Sequence, residues 1–362
     1  MLARRELLVA GAAAALVPMA ARAADLTAVK CIIPIPTFDE SFAPFAVAKY
    51  MGYFKEEGLD VSFLTVRGSN EAAMQISTGS AEVAAASPAD EIIGLQPGKD
   101  LEVKFFYELY YRNIWSMSVP QDSPIKSVAE LKGKKLGVIG MGSAGVAFGR
   151  AFVMAAGLDP ERDIGFLAVG VGAQAMNAVQ QKFVDALVYP ENLLNKLKVL
   201  GLEMTPLPVS QKLANLPDTS LFARREMIRD NPKMLIGLAR AVDKGYYFNI
   251  ANPVAAVKIT WKLYPEAEPK NMPPEKALQG GIFVNTERMK IWHSADTGPG
   301  KDGSFLAPQW QDFVDFMIEQ KLISQPVPLE TIYTNELIRE INDFNHEAVK
   351  KQAAAFDIGS IK

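Results

Sequence analysis

Apolar and polar positions alternate along the chain in two successive series of strand and helix signals. Residues 28–33 form a short apolar run closed by Pro34 and Pro36, which reads as a strand. Phe42, Phe45, Ala46, Lys49 and Tyr50 then recur at helical spacing, and Pro44 fits such a helix only in its first turn. A glycine-bounded break at 52–58 precedes a strand at 59–66, a helix at 71–77 and a short strand at 83–86 that ends at Ser87-Pro88. Residues 101–119 are β-rich throughout. The second series has strands at 135–139, 164–169 and 184–188. Helices at 146–156 and 175–182 lie between them, entered through the turns at 140–145 and 170–174. Beyond Leu221 the pattern is mainly helical, with helices expected at 231–248, 307–319 and 335–350.

This alternation predicts an α/β protein with parallel-rich sheets flanked by helices. Two series imply two lobes joined by a hinge. The chain is expected to cross near residues 111–118 and to return near 220–223. That makes one lobe discontinuous (24–112 plus 223–362, with extra C-terminal helices) and the other continuous (113–222).

The first 23 residues stand apart. Arg4 and Arg5 precede an apolar run, and Ala21-Arg22-Ala23 is a small-residue cleavage signal. The run is too short for the roughly 20 residues that span a bilayer. A cleaved signal for export to the periplasm is therefore expected, by a twin-arginine or Sec route.

Composition narrows the chemistry. A length of 362 residues fits two domains of roughly 100–200 residues each. With 49% hydrophobic residues the bulk of the chain is not disordered. A net charge of −3 offers no basic excess for nucleic acid. One Cys and two His leave no disulfide and no zinc cluster readable from spacing, so no metal and no cofactor are expected. Cys31 lies in an apolar run and reads as a buried strand residue. His293 and His346 have no ligand at metal spacing and read as structural.

In open α/β sheets ligands sit beyond the carboxyl ends of the strands. In the first series this selects Thr37 and Phe38, Ser69, Ser87 with Asp90, and Tyr107; in the second, Gly142-Ser143-Ala144, Gly172, and Tyr189 with Glu191. Trp115 joins Phe38, Tyr107 and Tyr189 as candidates for an aromatic clamp. The Gly142–Ser143 turn opens a helix, where free backbone N–H groups and the dipole favour an oxyanion. Residues 140–145 also match G-x-G-x-x-G, but no acidic residue closes the following strand as a dinucleotide site requires. Thr37 to Glu40 and Ser127 to Glu130 both fit capping boxes. Asp90 or Glu191 in the cleft would favour an amine or N–H donor ligand. Arg67 and Arg112 are the basic residues nearest these turns.

Four stretches resemble a known family: Phe45 to Val61 (FAVAKYMGYFKEEGLDV), Gly68 to Val83, Ser127 to Val138 (SVAELKGKKLGV), and Phe222 to Arg225 with Asn231-Pro232. They are similar to the periplasmic substrate-binding proteins of ABC importers, in the nitrate/sulfonate/taurine (NitT/TauT) branch that includes the thiamine-pyrimidine-like (NMT1/THI5-like) binders. The resemblance covers about residues 28–250. It implies a two-lobed type II periplasmic binding protein fold with a ligand cleft and hinge closure. It also implies two membrane-side partners, a permease and an ATPase, around a binding protein expected to be a monomer. The first expectation for the ligand is a small organic oxyanion, a sulfonate or carboxylate and aromatic if the clamp is real; the alternative is a pyrimidine or amine thiamine precursor. A relative on this fold is a pyrimidine synthase marked by a Cys-rich motif and a donating His; with a single Cys, this chain is expected not to be an enzyme. A sensor presenting its ligand to a receptor is the third class.

Overall fold

The computed structural model describes residues 26–99, 101–298 and 300–361; the export signal expected at 1–23 lies outside them. Ten strands are found among the described residues: β1 (Thr27–Ile33), β2 (Leu59–Thr65), β3 (Val83–Ala86), β4 (Val103–Glu108), β5 (Trp115–Pro120), β6 (Lys134–Val138), β7 (Ile164–Ala168), β8 (Ala186–Pro190), β9 (Met204–Pro206) and β10 (Ser220–Arg224). They form two five-stranded sheets, ordered β2-β1-β3-β10-β4 and β7-β6-β8-β5-β9. Helices flank both, so each sheet belongs to one α/β lobe.

Strands joined through helices pair in parallel, as β1 does with β2 from Thr27 opposite Leu59 to Ile33 opposite Thr65. The sheets are nevertheless mixed. β10 runs antiparallel between β3 and β4, and β5 antiparallel between β8 and β9. Both strands enter from the other lobe, so neither is bound to the crossover that makes a βαβ pair parallel. The β-rich stretch at 101–119 divides accordingly: β4 stays in the first sheet and β5 starts the second.

Burial explains the compositions. β3 is Val-Ala-Ala-Ala, wholly buried, and its small side chains leave room for Phe222 on β10, which packs on Phe105 of β4. Cys31 on β1 is fully buried, and burial pushes its thiol up beyond any reactive range. The helix Ala43–Tyr50 begins with Pro44 in its first turn and packs on the long helix Pro232–Ala251. Gly245 faces the Pro44 carbonyl there, where no side-chain carbon fits.

Several local expectations are corrected. Residues 37–40 are not capped by Thr37: Asp39 caps, accepting from Ser41 N at 2.9 Å, which frees Glu40 for longer-range partners. Ser127 does not cap its turn through its side chain but bonds Glu130 directly at 2.9 Å. The helix expected at 335–350 is two helices, Ile338–Ile341 and His346–Ala354, because Asn345 caps the second by accepting from Ala348 N. No described helix is long and apolar enough to cross a membrane.

Candidate functional site

Strand ends of both sheets converge on one inner cavity. Pro34 and Ile35 come from the end of β1, Gly68 and Ser69 from the turn after β2, and Ser87 from the end of β3. The second lobe supplies Ile114 and Trp115 at β5, Ile139, Ser143 and Ala144 after β6, and Pro190 and Asn192 at the end of β8. Phe42, Thr219 and Arg288 complete the wall.

The lobes are shut on this space. Gly68 has φ +153°, and a Cβ there would stand 2.6 Å from Gly142 O and 2.6 Å from Ser143 Cα across the cleft. Only glycine permits that approach. A hydrogen-bond chain also crosses: Trp115 Nε1 donates to Ser87 Oγ at 3.0 Å, and Ser87 Oγ donates to Asp218 Oδ1 at 2.5 Å. Asp218 Oδ1 further accepts from Thr219 N at 2.7 Å and Thr219 Oγ1 at 2.9 Å, while Oδ2 is buried without a partner.

Carboxyl groups behind Ser87 are held toward neutrality. Burial pushes Asp218 up to about 7, against the opposing hydrogen bonds from Ser87 and Thr219. Burial likewise pushes Asp90 up to about 6, and burial with Asp90 nearby holds Glu91 well above the carboxylate range.

A second polar network closes the other side. Asn192 Nδ2 donates to Ser41 Oγ at 3.0 Å, and Arg288 Nη2 donates to Asn192 Oδ1 at 2.8 Å. Arg288, 1% exposed, also bonds Glu191 Oε2 at 2.9 Å, and its guanidinium lies 4.3 Å from the Tyr110 ring centre. Lys196 bridges Asp39 at 3.2 Å and Glu40 at 3.1 Å. Burial works against the Lys196 ammonium, but these two carboxylates outweigh it and hold its pKa above the ordinary lysine value.

The residues selected from sequence therefore divide. Ser69, Ser87, Trp115, Ser143 and Ala144 line the inner cavity together. Thr37 and Gly142 line a wider outer cavity with Arg67, Glu71 and Gln174. Gly172 borders a separate cavity beside Glu40 and Lys196. Glu191 is placed against Arg288. Asp90 lies behind Ser87, next to Glu91. Phe38 is buried in the core, stacked on Tyr264 at 4.0 Å. Tyr189 donates to Gly170 O, and Tyr107 packs on Gly303. Neither Tyr107, Tyr189 nor Phe38 lines the inner cavity. Arg112 is exposed.

Asn192, Thr219 and Arg288 line the cavity without having been selected. Asn192 follows Glu191 directly and was within reach of the strand-end rule. Thr219 stands just before a strand rather than after one. Arg288 lies inside the helix Pro274–Met289, in a region with no motif.

Two mixed α/β lobes closing over a cleft of strand-end residues constitute the periplasmic binding protein fold. Residues 39–256 match the NMT1/THI5 like family, and the chain belongs to it. Among curated proteins it is similar to the riboflavin-binding protein RibY of Chloroflexus aurantiacus, 26% identical over 82% of this chain and 82% of that protein. It is also similar to the formylaminopyrimidine-binding protein of Halalkalibacterium halodurans, 23% identical over 80% of this chain and 84% of that protein. Among solved structures, the alkanesulfonate-binding protein SsuA of Xanthomonas axonopodis pv. citri bound to MOPS superposes with a TM-score of 0.64. That match is 14% identical and covers 86% of this chain and 99% of the other, a likeness of fold.

Proposed function

We propose that this chain is a periplasmic solute-binding protein of an ABC importer that closes its lobes on a small planar nitrogen heterocycle. One observation carries this reading: the only cation lining the inner cavity among the described residues, Arg288, is already matched by Glu191 and Asn192. The remaining polar groups, Ser69, Ser87, Ser143, Thr219 and Asn192, are neutral; Ser69 and Ser143 keep a hydroxyl hydrogen to give, while the hydroxyls of Ser87 and Thr219 donate to Asp218 and can still accept. Such a lining complements the mixed N–H and C=O edge of a heterocycle, and Trp115, Phe42 and the isoleucines suit its faces. The two curated relatives, named for riboflavin and a formylaminopyrimidine, support the heterocycle class.

A small organic oxyanion is the second reading, favoured by the buried, unpartnered Ser143 Oγ at the start of the helix Ala144–Ala155. Calorimetry with formylaminopyrimidine, riboflavin, taurine and nitrate separates the two. Binding of the pyrimidine but not of the anions is expected; tight taurine binding with none of either heterocycle overturns the first reading.

The proposal includes cleavage of the export signal near Ala23, lobes of 24–112 with 223–362 and of 113–222, a monomer without cofactor, and delivery to a permease and ATPase. Loss of uptake in cells lacking that permease distinguishes transport from sensing.

A further inference from the structure

Away from the cleft, the fold gathers Asp243 of the helix Pro232–Ala251, His293 from the segment after the helix Pro274–Met289, and Asp302 from the glycine-rich loop that follows. A carboxylate oxygen of each aspartate and a ring nitrogen of the histidine all lie within 4.8 Å of one another. His293 Nε2 is 2.8 Å from Asp243 Oδ1, and the two side chains are 8% and 0% exposed. Tyr247 donates to Asp302 Oδ2 at 2.6 Å. We propose that these three side chains bind one divalent transition-metal ion, zinc or manganese, that pins the loop to the helix.

Charge and unmet valence argue for it. Among the described residues, Asp243 and Asp302 have no Lys or Arg in ion-pair contact, and a histidine cannot neutralise both. A divalent ion beside a neutral imidazole balances the two carboxylates. Asp243 Oδ2 and His293 Nδ1 are both buried without a hydrogen-bond partner, a state costly enough to call for a ligand. The Tyr107 hydroxyl is a third orphan. One imidazole with two carboxylates suits zinc or manganese, whereas calcium prefers an all-oxygen shell. The sequence concealed this group, because its members are 50 and 9 positions apart with no short motif between them.

The test uses the full mature protein after dialysis against a chelator, titrated with zinc chloride or manganese chloride alone in a calorimeter, with metal content measured by mass spectrometry. One ion per chain is expected. Its affinity should fall at least about 10- to 100-fold in both His293→Gln and Asp302→Asn. Asp302→Asn changes a half-buried loop residue and keeps its volume, so it reports binding if His293→Gln fails to fold. No saturable uptake of either metal by the unsubstituted protein overturns the proposal, and so does undiminished uptake by folded Asp302→Asn.

Discussion

Replacing Gly68 with alanine puts a methyl carbon 2.6 Å from the Gly142 carbonyl oxygen and 2.6 Å from Ser143 Cα. Both obstacles are backbone, so no side chain can swing aside. The residue would also have to hold φ +153°, which an L side chain rarely adopts. The contact exists only while the lobes are shut, so the open form escapes the clash. Overpacking of this kind costs about 1–3 kcal/mol. Charged to the closed form alone, the clash becomes a loss of roughly 5- to 150-fold in ligand affinity, and the φ strain adds a loss of stability in the first lobe. Calorimetry gives the affinity, and small-angle scattering gives the radius of gyration, which should remain at the open value at ligand concentrations that compact the unsubstituted protein. Gly140→Ala is the control, because a Cβ there meets only Arg67 O at 3.8 Å. Equal affinity in Gly68→Ala and Gly140→Ala would refute closure at this turn.

Trp115→Phe keeps an aromatic ring but removes the donor to Ser87 and part of the indole's volume; stability should fall by at least about 0.5–1.5 kcal/mol in urea unfolding, with ligand affinity held within a few-fold. A collapse in affinity would show that the N–H, not the ring, serves the ligand. Arg288→Met strands Glu191 and Asn192 and should cost about 3–5 kcal/mol, the range for breaking a buried pair; a loss below 1 kcal/mol would mean the pair is not buried in solution. Asp218 titrates near 7 when folded but near about 3.9 unfolded, so between these values the native state binds more protons and stability falls as pH rises. Asp218 contributes at most about 4 kcal/mol of the fall from about pH 4 to 7, beside the raised Asp90 and Glu91, and Asp218→Asn should make the slope shallower; an unchanged slope in the urea midpoints would place the titrating group elsewhere.

Much of this architecture was legible in residue order because each βα unit announces itself locally: a β-branched run, a small-residue turn, an amphipathic helix. Ser69, Ser87 and Ser143, selected by that rule, line one cavity, since each stands where a strand gives way to a helix. Aromatic residues misdirected it. Phe38 and Tyr189 also stand near strand ends, but their bulk is absorbed by Tyr264 and by a bond to Gly170 O, and no local pattern tells a ring in the core from a ring at a cleft. Arg288 was out of reach for a different reason. It belongs to a C-terminal helix whose position depends on Tyr110, Glu191 and Asn192, 178, 97 and 96 residues away in sequence. The antiparallel settings of β5 and β10 were hidden likewise, because they depend on which lobe the chain has just left.

Of the four tryptophans, Trp261, Trp292 and Trp310 lie in the helical C-terminal region and away from the inner cavity; Trp115 alone lines it. Its indole N–H is bonded to a serine of the opposite lobe. Parting the lobes would break that bond and wet the Trp115 indole. The protein therefore carries a built-in optical gauge: its intrinsic emission should redden on opening and return to blue on capture, so that each solute encounter can be timed without attaching a dye.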